Sequence, residues 1–454
     1  MSIQTINPAT GEVLNSYQEI SNDQVDRVIG NAHRAFISWR ETSFPERTQK
    51  MMRVAEILLA RKEKYAKLIA LEMGKPLTLG LFEVEKCASW CQYFSEHAEA
   101  FLAPHRVETE MAKSYVAYQP LGIIFAIMPW NFPFLQVFRF AASGIMAGNG
   151  YLLKHAPNTT GCGFAITELF KEAGFPESLF TSVVIGVNQS ENIIANPRVA
   201  GVTFTGSVDA GRKVGALASK YLKKVVLELG GNDPYLVLED ADLDQAAAEC
   251  VISRLTNAGQ VCISAKRLIV VEAVRERFQE KVIALAKQFK AGNPLLSETS
   301  LGPIARGDLR DIIDRQVQES LAKGAELVMG GKPDDGPGFF YPVTILRNLK
   351  PGMPAYDEEI FGPVISFIDA RNEAEAVAIA NSSALGLTSA VFTADVTRGE
   401  RVALAIEAGA CYVNSRVVSD ARLPLGGIKN SGFGRELSEI GIREFTSAKT
   451  ICIK

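Results

Sequence analysis

Apolar positions recur with a helical period through the first hundred residues of the chain. From Ser21 to Trp39 they fall every three or four residues, which predicts an amphipathic helix that Ser21 caps. A second helix is predicted after Pro45, ending near Gly74 in a Gly-Lys-Pro sequence, and a third over residues 79–101. The N-terminal part of the chain is therefore expected to be helical.

A continuous apolar run, 121–128, begins a part of the chain in which strands and helices alternate. A strand without polar side chains on either face is typical of a buried parallel sheet. Repeated strand–helix units of this kind predict a doubly wound α/β sheet. Its further strands are expected near 151–154, 182–185, 202–205 and 225–229.

The alternation starts again after Gly230 and Gly231, and this indicates a second α/β unit that reaches to about Gly427. The last residues, from Thr446 to Lys454, alternate in polarity but are too few to build a core. We therefore expect this tail to add a strand to another sheet.

Charge and cysteine content narrow the possible functions. Lys and Arg number 48 against 51 Asp and Glu, with no basic stripe, so neither nucleic acid nor an anionic membrane is an expected partner. The longest apolar run is about half the length of a membrane helix, and no secretory signal pattern opens the chain. Seven cysteines without a CxxC pair, and four histidines without HExxH spacing, predict a cytoplasmic protein with no metal centre.

Two residues are candidates for covalent chemistry. Cys262 follows small, flexible residues that leave room for a substrate, so its thiolate could act as a nucleophile. Glu228 lies inside an apolar strand, where a desolvated carboxylate can act as a general base toward water. A small buried hydrophobe and a satisfied structural carboxylate are the alternative interpretations.

Two turns carry candidates for ligand binding. Asn131 lies between Pro129 and Pro133, directly after the buried strand, and its amide could stabilise an oxyanion. An Asx turn is the alternative for this residue. Gly206 and Ser207 follow a strand and open a helix, where backbone N–H groups can face an anion, although such turns are more often structural.

Six segments, in this order and spacing, resemble the aldehyde dehydrogenase superfamily over essentially the whole chain. They are PWNFP from Pro129, FTGS from Phe204, ELGG from Glu228, GQVC from Gly259, EEIFGPV from Glu358 and PLGGIKNSGFGRE from Pro424. The resemblance implies a doubly wound cofactor domain, an α/β catalytic domain and a small β oligomerisation arm. The expected boundaries are 1–103 and 121–230 for the dinucleotide-binding domain, 231–432 for the catalytic domain, and 104–120 with 433–454 for the arm.

The resemblance also implies a mechanism. Cys262 would be the nucleophile, Glu228 the general base, and the Asn131 amide with the Cys262 backbone N–H the oxyanion hole. Aldehyde would be oxidised to acid through a thioester that water hydrolyses. Residues that match cofactor-contacting positions are Trp130, Lys154, Gly206, Ser207, Leu229, Glu359 and Phe361.

Pro157 bears on the choice of cofactor. NAD-preferring members of the family often carry an acidic residue three positions after the lysine, and here that position is Pro157. The absence of a carboxylate removes a repulsive charge from a 2′-phosphate, which favours NADP and leaves NAD possible.

Within the family the chain resembles bacterial succinate-semialdehyde dehydrogenases. Arg139 and Ser419 match the positions that bind the distal carboxylate of the substrate, with Arg422 a weaker candidate, although Arg139 could instead pair with a structural carboxylate. Another semialdehyde, such as glutarate semialdehyde, is an alternative substrate. A non-catalytic structural protein and a thiol hydrolase are alternatives of other classes. The tail suggests a homodimer or a homotetramer.

Overall fold

The structure, a computed structural model, describes residues 2–454 of the chain. The helices are α1 (Asn22–Trp39), α2 (Phe44–Ala60), α3 (Lys62–Met73), α4 (Leu77–Phe101), α5 (Leu135–Met146), α6 (Thr160–Glu172), α7 (Ser190–Ala195), α8 (Val208–Lys220), α9 (Leu243–Leu255), α10 (Arg275–Ala286), α11 (Gly307–Ala322), α12 (Pro354–Asp357), α13 (Glu373–Asn381), α14 (Val396–Ala405) and α15 (Ser438–Glu444). The strands are β1 (Ser2–Ile6), β2 (Val13–Gln18), β3 (His105–Arg106), β4 (Lys113–Pro120), β5 (Ile123–Met128), β6 (Gly150–His155), β7 (Phe180–Ser182), β8 (Val199–Thr205), β9 (Lys224–Glu228), β10 (Pro234–Val237), β11 (Arg267–Val271), β12 (Glu326–Met329), β13 (Thr344–Arg347), β14 (Val364–Ala370), β15 (Leu385–Gly386), β16 (Thr388–Phe392), β17 (Ala410–Val413), β18 (Ile428–Lys429), β19 (Gly432–Phe433) and β20 (Thr446–Ile453).

The N-terminal helices follow the sequence signals, with one difference. Ser21 and Gln24 form a reciprocal capping box at the start of α1, as predicted. The prediction of a single helix from Pro45 to Gly74 is wrong. The chain leaves helical geometry at Arg61, so this segment forms two helices, α2 and α3. Gly74 ends α3 with a φ of 81°, a left-handed conformation that glycine adopts without steric cost.

The first large sheet has six strands in the order β19-β9-β8-β5-β6-β7, and all except β19 run parallel. The chain order reverses between β5 and β8, so the sheet is doubly wound, as predicted. In such sheets, ligands bind beyond the carboxyl ends of the strands at the reversal point. Asn131, after β5, and Gly206, after β8, both lie at this place.

The second large sheet has seven strands in the order β12-β13-β14-β11-β10-β16-β17, with β12 alone antiparallel. Each sheet has its own large cluster of buried apolar side chains. The chain passes from β9 of the first sheet to β10 of the second across Gly230 and Gly231. The α/β class predicted from the sequence is confirmed.

A small antiparallel sheet, β20-β4-β3, combines the two segments assigned to the arm. Of the segment 433–454, however, only β20 belongs to this sheet. Phe433 pairs with β9 of the first large sheet, and α15 packs against α4 and α5. The domain boundaries themselves stay a prediction. None of the helices within residues 2–454 is long and apolar enough to span a membrane.

Candidate active site

Asn131 and Cys262 line one cavity where the two large sheets adjoin, whereas Glu228 is buried and is not among the residues that line it. Glu228 ends β9 of the first sheet, whereas Cys262 lies in the loop that enters β11 of the second. Asn131 follows β5 and is buried. The three predicted catalytic residues thus come from separate elements, and their proximity depends on how both sheets pack.

The loop before Cys262 has an uncommon backbone. Asn257, Ala258 and Gly259 all have positive φ, at 53°, 53° and 72°. Left-handed geometry is costly for alanine, so surrounding contacts must hold it. Gln260 supplies several of them, because its Nε2 donates to the Asn257 carbonyl oxygen at 3.0 Å and its Oε1 accepts from the Ala305 N–H at 2.9 Å. The strained loop fixes the direction from which Cys262 enters the site.

Asn131 is tied to this loop from the other sheet. Its Nδ2 donates to the Gln260 carbonyl oxygen at 3.0 Å, and Asn257 Nδ2 donates to the Asn131 carbonyl oxygen at 2.9 Å. An amide nitrogen carries two N–H groups, so one remains for a ligand. The Cys262 backbone N–H donates to no group within residues 2–454. Two donors are therefore available beside the predicted nucleophile, as an oxyanion hole requires.

Two cations oppose the effect of burial on the Cys262 thiol. Burial raises the pKa of Cys262, while the positive charges of Arg139 and Lys266 lower it. Lys266 Nζ donates to the carbonyl oxygens of Val261 and Cys262 and forms an ion pair with Glu359 Oε1 at 3.1 Å. Lys266 thus holds the backbone of the cysteine as well as its electrostatic surroundings.

Glu228 is buried beside Arg139 and Glu436. Arg139 Nε donates to Glu436 Oε2, and its Nη2 lies 3.9 Å from Glu228 Oε2. Burial raises the pKa of Glu228 to about 8, which Arg139 opposes and the negative Glu436 reinforces. Glu228 Oε1 has no hydrogen-bond partner among the described residues. This carboxylate therefore takes up a proton more readily than an exposed glutamate, and one oxygen is free to accept from water.

A first cavity, of about 230 Å³, lies where the doubly wound sheet reverses. Cys262 and Asn131 line it together with most of the residues predicted to contact a cofactor. Those residues are Trp130, Gly206, Ser207, Leu229, Glu359 and Phe361.

This cavity suits a dinucleotide at several points. Ser207 caps the 13-residue helix α8, whose N-terminal end faces the cavity and favours anionic groups. The buried Thr205 Oγ1 has no partner in the described chain. A side chain at Gly230 would require the Glu359 carboxylate, which lines the same cavity, to move.

Lys154 and Pro157 lie apart from the first cavity. Lys154 is buried near the carboxyl end of β6. With His155 and Thr160 it lines a small, separate cavity. Pro157 is exposed and begins a short 3₁₀ turn. Glu19 is close enough to Lys154 to raise its pKa, against the larger, lowering effect of burial. The role of Pro157 in cofactor choice stays a prediction.

A second cavity, of about 310 Å³, lies on the other side of the cysteine loop. Val261 and Ile263, the neighbours of Cys262, line it, and Ser419 does too. Arg139 lines neither cavity, because it is buried and engaged by Glu436. The structure thus pairs Arg139 with a carboxylate of the protein, the alternative that the sequence left open. Arg422 lies in an outer groove and pairs with Asp420.

Lys266 and Glu436 are site residues that the sequence reasoning did not identify. Lys266 stands four positions after the cysteine and is followed by Arg267 and then by an apolar strand, so two cations near the nucleophile candidate were a usable signal. Glu436 lies nearly three hundred residues from Arg139, so its role depends on tertiary contacts alone.

The fold and the site together place a partly exposed cysteine at a cavity beside a doubly wound sheet of the dinucleotide-binding type. The aldehyde dehydrogenase family model matches residues 1–451. The chain belongs to the aldehyde dehydrogenase family, as the six sequence segments predicted.

Several individual members of the family are similar to this chain over nearly its whole length. The probable succinate-semialdehyde dehydrogenase [NADP(+)] of Synechocystis sp. is 45% identical, with all of both chains covered. The succinate semialdehyde dehydrogenase [NAD(P)+] of Escherichia coli is 44% identical over 98% of this chain and 97% of its own. Among solved structures, the succinic semialdehyde dehydrogenase of Streptococcus pyogenes in complex with NADP+ superposes with a TM-score of 0.97 at 38% identity, covering 99% of both chains.

Proposed function

We propose that this protein oxidises succinate semialdehyde to succinate and reduces NADP, with NAD as a possible substitute. The observation that carries the proposal is the position of Cys262 between two cavities, one built for a dinucleotide and one open to a substrate. The names of the relatives in Synechocystis and Escherichia coli support the substrate and the cofactor.

The first half-reaction begins at the sulfur of Cys262. Its thiolate attacks the aldehyde carbon, and the oxyanion that forms accepts hydrogen bonds from the free Asn131 N–H and the Cys262 backbone N–H. Trp130, Leu229, Glu359 and Phe361 would hold the nicotinamide end of the cofactor, which when bound would accept the hydride from the hemithioacetal carbon. Loss of this hydride leaves a thioester on Cys262. The α8 N-terminus at Gly206 and Ser207, with Lys154 and Pro157 farther along, would hold the phosphates and the adenosine end.

The second half-reaction is hydrolysis of the thioester on Cys262. Glu228 takes a proton from water through its unpartnered Oε1, and the resulting hydroxide attacks the thioester carbon. Cys262 then leaves as a thiolate, which the positive charges of Arg139 and Lys266 stabilise. The product is a free carboxylic acid because this glutamate activates water.

The proposed function has two alternatives, which are another semialdehyde as substrate and a non-catalytic structural protein. Glutarate semialdehyde differs from succinate semialdehyde by one methylene group, worth only about 1–3 kcal/mol in discrimination. A structural protein on the same fold has no need for a strained cysteine loop or two oriented donors. A homodimer or a homotetramer is also part of the proposal, supported by the free edge of β20.

The function is tested by following NADP and NAD reduction at 340 nm with succinate semialdehyde and with butanal, an uncharged aldehyde of equal carbon number. We expect kcat/KM to favour the semialdehyde by about tenfold or more, as one charged hydrogen bond allows. Glu228→Gln should retain a rapid burst of about one equivalent of reduced cofactor per site, followed by slow turnover, because only hydrolysis needs the base.

Cys262→Ala is the control, and it should show no burst. Equal use of both aldehydes by the native enzyme would overturn the substrate assignment but not the family. A Glu228→Gln variant with neither burst nor turnover would contradict the role of this residue in hydrolysis alone.

A further inference from the structure

The second cavity has a wall suited to a small molecule with one charged end. It is lined largely by apolar side chains, among them Phe132, Leu135 and Val418. Val261 and Ile263 place its inner end beside Cys262. An aldehyde that reaches the cysteine from this side would pass along apolar surface, so the charges in the wall decide which aldehydes bind well.

Three cations line this cavity, and two of them are already neutralised. Lys75 is buried and paired with Glu83, whose other oxygen accepts from the N–H groups of Phe134 and Leu135. Arg416 Nη1 donates to both carboxylate oxygens of Glu249, at 3.0 and 2.8 Å.

The third cation is Lys86, and its ammonium group has no ion pair and no hydrogen bond within residues 2–454, although its backbone carbonyl accepts from Ser89 Oγ. Its Nζ instead lies over the aromatic rings of Phe82 and Trp90, 5.6 and 5.8 Å from their centroids. Asp420 is close enough to raise the pKa of Lys86 against the larger, lowering effect of burial, but its carboxylate is held by Arg422 at 2.6 Å.

Lys86 also occupies a distinctive position along the route to the cysteine. An outer groove of about 320 Å³ opens beside the second cavity, and the two share Lys86, Val418 and Ser419. A half-buried ammonium without a partner gains more from an anion than an exposed one, because less water screens the pair. The hydroxyl of Ser419 at the same boundary can add a hydrogen bond.

From this arrangement we propose that Lys86, together with Ser419, binds the distal carboxylate of the substrate and selects ω-carboxy aldehydes. The inference rests on the proposed oxidation of a semialdehyde and adds the residue that recognises its charge. Arg139, buried against Glu436 and outside both cavities, serves the electrostatics of Glu228 and Cys262 instead.

Three variants test the proposal in the full-length enzyme at saturating NADP: Lys86→Met, Lys86→Arg and Lys67→Met. Lys67 is an exposed lysine on the neighbouring α3 and lines neither cavity, so it is the matched control. Steady-state kinetics with succinate semialdehyde and butanal separate recognition of the carboxylate from general damage, and thermal unfolding reports whether each variant is folded.

We expect Lys86→Met to lower kcat/KM for succinate semialdehyde about 10- to 100-fold, mainly through KM, and to reduce the preference over butanal by a similar factor. Lys86→Arg should recover most of the preference, and Lys67→Met should match the native enzyme. An unchanged preference in Lys86→Met, or equal losses for both aldehydes, would overturn the assignment of Lys86. Absence of any preference in the native enzyme would instead overturn the proposed substrate.

Discussion

At the scale of single residues, two different cations perform two tasks. One sets the electrostatics of the acid–base groups, and the other binds the carboxylate of the substrate. Arg139 is buried between Glu436 and Glu228, where its charge tunes the acid–base groups. Lys86 stands at the boundary of the second cavity, and its ammonium forms no ion pair within residues 2–454. A cation already engaged by a protein carboxylate has little left to offer a substrate carboxylate, which is why the two positions differ in function.

Cofactor preference is a second property set by one residue. Replacement of Pro157 by Glu should lower kcat/KM with NADP relative to NAD by about tenfold, or ~1.4 kcal/mol, because a carboxylate at this exposed turn would repel the 2′-phosphate. The ratio is measured from initial rates with each cofactor at saturating aldehyde.

Pro157→Gln is the matched control, since it removes the proline without adding charge. If Gln and Glu change the ratio equally, repulsion is not the cause, and the rigidity of the turn must be considered instead.

At the scale of elements, Glu72 couples helix α3 to helix α6. Its carboxylate accepts from the N–H groups of Gly161 and Cys162 at 3.0 and 2.9 Å, at the N-terminus of α6. Burial nevertheless raises the pKa of Glu72 to about 7, since the hydrogen bonds offset only part of the desolvation. The folded protein therefore binds a proton here that the unfolded chain, with a pKa of about 4.3, has already lost near neutral pH.

The contribution of Glu72 to stability follows from this difference. It is fully present below the unfolded pKa of about 4.3 and is lost as the pH rises through the folded value of about 7. We expect Glu72→Gln to flatten the fall in melting temperature between pH 5 and pH 8, measured by thermal unfolding. Glu63→Gln, on an exposed position of the same helix, should retain the native slope, and equal slopes in both variants would refute the linkage.

Local signals explain which elements could be predicted from sequence. The capping box at Ser21 and the stop at Gly74 were recognised because each depends on neighbouring residues. The break at Arg61 was missed, since neither glycine nor proline marks it. Within the site, Cys262 and Glu228 stood out by their surroundings in the chain. Lys86 did not, because its missing partner is visible only once α4 is packed against the segment at Ser419.

At the scale of the whole molecule, the small arm leaves a sheet edge open. Strand β20 pairs with β4 on one side only, and no other strand of the described chain covers its second side. An eight-residue strand with unpaired N–H and C=O groups can accept a strand from a partner. This edge is the surface on which the proposed homo-oligomer depends.

Two adjacent proline substitutions distinguish the edges of β20. Successive N–H groups of a strand point to opposite sides, so of Lys449→Pro and Thr450→Pro one removes a hydrogen bond to β4 and the other a donor at the open edge. The substitution that removes a hydrogen bond to β4 should lower the melting temperature by about 1 °C, because a loss of about 1 kcal/mol moves the midpoint only slightly in a chain of 454 residues. The substitution that removes a donor at the open edge should instead reduce the mass of the oligomer found by light scattering. A native mass that neither substitution changes would exclude this edge as the interface.

The same strand carries the most exposed cysteine of the described chain. Cys452 is exposed in β20, whereas Cys262 and Cys411 are only partly so and the other four cysteines are buried. A maleimide dye will therefore label the arm of an unassembled subunit before it reaches the thiol of Cys262. Its fluorescence would follow the meeting of subunits rather than turnover, and counting active centres by alkylation requires a Cys452→Ser background.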